Sequence, residues 1–190
     1  VKNIFSFVLT ILLMFVNMPY PLQAIQLSLI SSLTIGVPSF FLALEPNYAR
    51  VEGKFMRNVI RRAMPGGLTN IILVILAGML TSTFNLPDTH LNTIAVWLLA
   101  AVGLITLYHV SKPFTKLRLI VFAAMSAAML FCLLLIPGFF EIPAINYQSG
   151  LIMVVLLLTA PTLMRFFLLI FDRQVAKHDQ RPPREKRRRR

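Results

Sequence analysis

Six runs of apolar residues divide this 190-residue chain, at Ile4–Val16, Leu22–Leu44, Leu68–Phe84, Asn92–Val110, Leu117–Pro137 and Gly150–Phe171. At about 1.5 Å of rise per residue, all but the first are long enough to cross a hydrocarbon layer about 30 Å thick. Water does not reach backbone groups in that layer, so a spanning segment is either a helix or a strand of a closed barrel. Runs of this length without alternation exclude the barrel. The predicted fold class is an all-α membrane protein of six transmembrane helices, the first truncated. The helices fall at about 3–17, 22–44, 68–84, 92–110, 117–137 and 149–171. Residues 1–172 form the transmembrane domain and 173–190 a basic cytoplasmic tail.

The connecting segments give the orientation. Segment 45–67 carries Arg50, Lys54, Arg57, Arg61 and Arg62, segment 111–118 carries Lys112, Lys116 and Arg118, and the chain after Asp172 is dominated by Arg and Lys. Segments 17–21, 85–91 and 138–149 carry neither residue. The positive-inside bias places the basic segments and the C-terminus in the cytoplasm and the others outside, in a multi-pass protein of the cell membrane. With 57% hydrophobic residues and a mean hydropathy of +0.74, the chain has more apolar surface than a soluble core of this length buries, and the lipid bilayer is the partner that solvates the excess. The net charge of +12 gathers on one side of that bilayer, where anionic headgroups attract it. Nucleic acid is not the expected partner. The tail Arg181-Pro-Pro-Arg-Glu-Lys-Arg-Arg-Arg-Arg is low-complexity, self-repelling and free of the aromatics on which bases stack, and reads as disordered.

Lys2, the short first run and Leu22-Gln23-Ala24 imitate a signal peptide with its cleavage site. The bulky Leu22 and the flanking Pro19 and Pro21 argue against it, and a helix that starts mid-span at Val1 points to missing upstream sequence. In the long basic connection, Val51, Phe55, Val59 and Ala63 recur every four residues opposite Lys54, Arg57, Arg61 and Arg62. That spacing predicts an interfacial amphipathic helix at about 50–63, ended by Gly66-Gly67 after Pro65. Ala123, Ala124, Ala127 and Ala128 place small residues where a neighbouring helix can approach. Pro161 is expected to bend the last helix, Arg165 to snorkel toward headgroups, and Cys132 to be a buried packing thiol.

No catalytic constellation is present. His90, His109 and His178 have no metal-ligand spacing to one another or to Cys132, and no Gly-rich phosphate loop follows a strand. The second run is the exception in its chemistry. Gln23, Gln26, Ser28, Ser31, Ser32, Thr34, Gly36, Pro38 and Ser39 give it an unusual density of polar and helix-breaking residues. Pro38 has no N–H to offer the Thr34 carbonyl, and an unpaired carbonyl at membrane depth is tolerated where it is buried in protein, lines a water-filled cavity or coordinates an ion. Ser31 and Ser28 lie near the same face and add hydroxyl oxygens suited to a hard cation. Two readings stay open on these residues alone: an ion path, or Ser and Thr bonding back to a helix that Pro38 merely bends.

The stretch from Pro21 to Asn47 resembles the sixth transmembrane helix of a bacterial P-type cation-transporting ATPase. The resemblance lies in its Pro-x-Gln start, its Thr34-Ile-Gly-Val-Pro38 interruption, the Phe40-Phe-Leu-Ala-Leu44 run and its Glu45-Pro-Asn exit. Lys2-Asn-Ile-Phe-Ser resembles the middle of the fifth helix, and the later spans fit the seventh to tenth in number and loop length. The resemblance implies the C-terminal membrane part of a pump, helices five to ten. Such pumps phosphorylate an aspartate in an Asp-Lys-Thr-Gly motif of a large cytoplasmic region, and this sequence has no such motif. ATP and Mg would therefore bind missing cytoplasmic domains, this chain would hold no cofactor, and alone it would be inactive. Ser31 and Thr34 fall where calcium pumps have an Asn and a Thr among their ligands, and Asn3 falls near the depth of a helix-five ligand. Ile35 stands where those pumps have a ligating aspartate. Calcium is the leading transported cation because the branch includes calcium transporters. The partners implied are that cation, the bilayer and the missing N-terminal part of the pump. The competing reading is a self-contained six-helix membrane protein with a structural or partner-binding role.

Overall fold

The computed structural model describes residues 2–16, 20–44, 55–112, 115–144 and 146–179, with backbone alone for 2–5, 16, 55–63 and 172–179. Among them there are six helices and no strand. We number them α1 (Lys2–Val16), α2 (Ala24–Ala43), α3 (Phe55–Thr83), α4 (Asp88–Val110), α5 (Lys116–Leu135) and α6 (Tyr147–Asp179). A short 3₁₀ turn, Pro137–Phe140, follows α5. Five of the six contain segments long and apolar enough to cross a membrane; in α1 the apolar part is only Ser6–Phe15.

The centre of the molecule is α4. Leu91, Ile94, Ala95, Val96, Leu98, Leu99, Ala100 and Val102 are all buried, which covers every side of the helix rather than one stripe. One side joins α3 and α6 in a cluster built on Leu73, Ala77, Leu98, Val102, Leu156, Ala160 and Met164. The other joins α1, α2, α3 and α5 through Leu9, Leu13, Ile30, Val74, Val96, Ala100, Met129 and Leu133. Large exposed side chains such as Phe15, Phe40, Leu119, Ile120, Leu158 and Phe166 line the perimeter, the arrangement expected where hydrocarbon rather than water is the outer solvent. The chain is a multi-pass membrane protein.

Several boundaries differ from expectation for physical reasons. The helix expected to stop at Gly66-Gly67 does not stop: α3 runs unbroken from Phe55 through Pro65 to Thr83, with the Pro65 carbonyl accepting from Thr69 Oγ1 at 2.8 Å. Gly66 serves packing here. A Cβ on it would lie 2.7 Å from Thr106 Oγ1, so its bare backbone lets α3 and α4 approach closely. The expected helix at 50–63 thus joins the span from Phe55 onward; residues 50–54 lie outside the described residues. At the other terminus α6 continues to Asp179, beyond the expected tail start at 173, because Arg173, Gln174, Ala176 and Lys177 are sound helix formers. Residues 180–190 lie outside the described residues. Of the alanine stripe of α5, Ala123, Ala124 and Ala127 are exposed and Ala128 is half-buried, while Val121, Met129 and Leu133 form the buried side. Arg165 is exposed and Cys132 only half-buried.

α3 ends in a Schellman turn. Leu86 N–H donates to the Thr81 carbonyl at 2.9 Å and Asn85 N–H to that of Ser82 at 3.1 Å, with Asn85 in the left-handed region at φ 50°. Glu141, at φ 51°, closes the 3₁₀ turn in the same way: Ile142 N–H reaches the Pro137 carbonyl at 3.0 Å.

Candidate functional site

The polar second span folds as one helix with a wide turn in it. Ala24–Ser31 is α-helical, Ser32–Gly36 is a π-helical turn, and Val37–Ala43 returns to α. Val37 N–H donates to the Ser32 carbonyl, five residues back. The cause lies one residue further on: Pro38 cannot donate and its ring crowds the preceding turn, and a widened turn accommodates that ring in the first turn of the following α segment. Gly36 and Pro38, expected to break the helix, instead widen it, and Pro38 is buried. Single π turns inside α-helices concentrate at functional sites.

The expected ligand residues are placed as follows. Thr34 is half-buried within the π turn, and its hydroxyl donates to the Ile30 carbonyl at 2.7 Å. Ser31 is half-buried at the edge of that turn, and its hydroxyl donates to the Ser28 carbonyl at 3.2 Å. Each hydroxyl oxygen keeps acceptor capacity after donating, so backbone bonding does not remove it from the pool of oxygen ligands. Ile35, where the resemblance implies an aspartate, is 53% exposed. Asn3 lies in the first turn of α1, and its side chain is outside the described residues. Among the described residues no group of three or more His, Cys, Asp or Glu gathers in a metal-binding arrangement. Any cation at the π turn would therefore meet hydroxyl and carbonyl oxygens.

Thr34 is also where α2 meets α4. A Cβ on Gly103 would lie 2.7 Å from Thr34 Cγ2, so the absence of a side chain at Gly103 seats the π turn against the central helix. A second junction lies eight residues earlier. Gln26 is fully buried; its Oε1 accepts from the Gln23 backbone at 3.0 Å and from Asn92 Nδ2 at 2.9 Å. Its Nε2 is 3.0 Å from Asn92 Oδ1 and 3.2 Å from each of the Phe140 and Glu141 carbonyls, while Asn92 Nδ2 also donates to the Pro21 carbonyl. The same end of α4 is tied to the start of α6 by a 2.6 Å hydrogen bond between buried His90 and buried Ser149, and to the preceding loop by Thr93 Oγ1 donating to the Pro143 carbonyl at 2.7 Å. Sequence reasoning noticed Gln26 only as one polar residue among many. Asn92, His90 and Ser149 gave no signal, since their partners are 50 or more residues away.

Comparison with known proteins identifies relatives. The chain is 28% identical over 101 residues to the protein named "Probable cation-transporting ATPase exp7" of Streptococcus pneumoniae, a match covering 53% of this chain. It is 30% identical over 108 residues, 55% of the chain, to calcium-transporting ATPase CtpE of Mycolicibacterium smegmatis. Its likeness to CtpE of Mycobacterium bovis is 41% over 49 residues. This chain is homologous to P-type cation-transporting ATPases. The matched regions amount to 13% and 14% of the length of the first two pumps, so the chain corresponds to a small part of each. No protein-family profile matches the chain. No solved structure matches it either.

Proposed function

We propose that this chain is the membrane part of an ATP-driven cation pump and that the π turn of α2 forms one wall of its ion path. The observation that carries the reading is a widened turn, at Ser32–Gly36 and directly before Pro38, in a membrane helix of a chain homologous to cation-transporting ATPases. Thr34 and Ser31 supply hydroxyl oxygens there and the turn supplies carbonyl oxygens released from regular α register; Asn3 of α1 is the further ligand that the family resemblance implies. Oxygen ligands of this kind suit a hard cation. Calcium is our choice of substrate because two of the relatives are named calcium-transporting. With Ile35 in place of a carboxylate, the site itself carries less negative charge than an aspartate would give it, so carbonyl oxygens carry more of the coordination. Phosphorylation and nucleotide binding, with ATP and Mg, would belong to cytoplasmic domains outside these 190 residues, and the C-terminus would face the cytoplasm of a cell membrane.

The test is made in the full-length pump. Pro38→Ala restores an N–H to the ladder and lets the turn tighten to α register. Cation-dependent phosphorylation should then weaken while expression holds. Thr34→Val keeps the shape, deletes one oxygen and should lower the apparent cation affinity. Ser39→Ala, beyond the π turn, should be nearly silent. Wild-type cation dependence in both Pro38→Ala and Thr34→Val would leave α2 as a bent packing helix.

A further inference from the structure

α2 and α4 run in the same direction and meet closely at two places, Gln26 with Asn92 and Thr34 with Gly103. The two are eight residues apart on α2, about 12 Å along the helix. A single contact would leave a helix free to rotate about its own axis and to tilt; two contacts at that spacing fix both. The upper contact is of an unusual kind for a membrane helix. Each amide of the Gln26–Asn92 pair both offers and receives a hydrogen bond, at 2.9 and 3.0 Å, and leftover groups reach backbone atoms at Pro21, Gln23, Phe140 and Glu141. A buried Gln26 and a half-buried Asn92 satisfied this fully are directional, and moving either one forfeits several bonds at once. Beyond the π turn α2 packs on α5 and buries Pro38, but among the described residues it has no buried polar contact there: from Ser39 to Leu44 every residue except Leu42 is exposed. Among the described residues, the directional side-chain bonds that tie α2 to its neighbours lie at Gln26, before the π turn.

We propose that Gln26 and Asn92 are positioning residues that set the rotational register of α2, and with it the direction in which Ser31 and Thr34 present their oxygens. The second half of this statement rests on the pump reading; the first does not. A pair that only stabilised the fold would add its contribution independently of what happens at Gly103. A pair that sets register would not, because the cost of a Cβ at Gly103 exists only while Thr34 is held against it.

The experiment is a double-mutant cycle in the full-length protein, read by thermal unfolding in membranes and by cation dependence of phosphorylation. Gly103→Ala should lower the unfolding temperature in the wild-type background, and at least half of that decrease should vanish in the Asn92→Ala background. Gln26→Leu should lower apparent cation affinity about tenfold, the size of one lost buried hydrogen bond, with maximal phosphorylation retained. The exchanged pair, Gln26→Asn with Asn92→Gln, restores two facing amides and should recover much of both losses. Additive effects of Asn92→Ala and Gly103→Ala on unfolding would overturn the proposal, as would an unchanged cation affinity in Gln26→Leu. If Gln26→Leu fails to reach the membrane, Asn92→Ala, which leaves Gln26 its backbone partners, carries the affinity measurement. Should the wild-type protein show no cation dependence at all, the pump reading falls, and the unfolding cycle still decides the register claim.

Discussion

Thr34 occupies the space that a β-carbon on Gly103 would need: the nearest atom, Thr34 Cγ2, would lie 2.7 Å away and Thr34 Cβ 3.3 Å away. No real Cβ is accommodated at 2.7 Å from a branched methyl held by its own hydrogen bond. Either α2 shifts or α4 does.

Gly103→Ala is therefore expected to cost about 1–3 kcal/mol of stability, the usual penalty for overpacking a well-filled interior. Adding Thr34→Ser, which removes Cγ2 and keeps the hydroxyl, should return a measurable part of it. Thermal unfolding of the single and double variants in membranes checks both statements, and an unperturbed Gly103→Ala protein would show that the two helices are not held together there.

Asn85 tests the turn that ends α3. Its left-handed φ of 50° suits Asn and Gly but not a β-branched residue. Asn85→Gly should leave the unfolding temperature almost unchanged, while Asn85→Val should cost about 1–2 kcal/mol. Equal stabilities would mean the turn adjusts freely.

Ser149 is buried with His90 as its partner at 2.6 Å. Ser149→Ala leaves that ring nitrogen without its hydrogen bond in a site water does not readily reach, at an expected cost of about 1–3 kcal/mol. Ser149→Thr keeps the hydroxyl and should lose less. The comparison is again made by thermal unfolding, and a stability equal to wild type in Ser149→Ala would show that the ring finds another partner.

The orientation is tested without reference to transport. Reporters fused after Arg190 or within Arg50–Arg62 should report the cytoplasm, and one fused beside Asp88 the outside. A reversed signal at any of these positions would break the assigned topology.

What the sequence revealed was what is local. The length of each apolar run set the spans to within a few residues at most ends, and the polar content of 22–44 together with Pro38 located the irregular turn, since a proline's missing N–H acts on its own neighbours. What it hid was long-range. Gly66-Gly67 looked like a stop because glycine is a poor helix former, yet Thr106, forty residues away, uses that gap for close packing. Asn92 looked like the first residue of a span, while its role depends on Gln26, Pro21 and the 3₁₀ turn meeting it. Tertiary contact outweighed propensity at both positions. The ligand residues stand between these cases: Ser31 and Thr34 were legible as polar atoms in an apolar run, but whether their oxygens converge depends on a helix register that no local pattern encodes.

The unbroken course of α3 has a mechanical consequence. Its 29 residues make a rod about 43 Å long, from Phe55 in the arginine-rich stretch to Thr83 at the opposite face. A push on the basic end travels to the Schellman turn along one continuous α-helix, in which Pro65, having no N–H for the Arg61 carbonyl, leaves one ladder bond unmade. α2 is the opposite kind of part, jointed halfway. Packed against the same central helix, the two would respond differently to one displacement: α3 would transmit it across the bilayer, and α2 would absorb it at Ser32–Gly36.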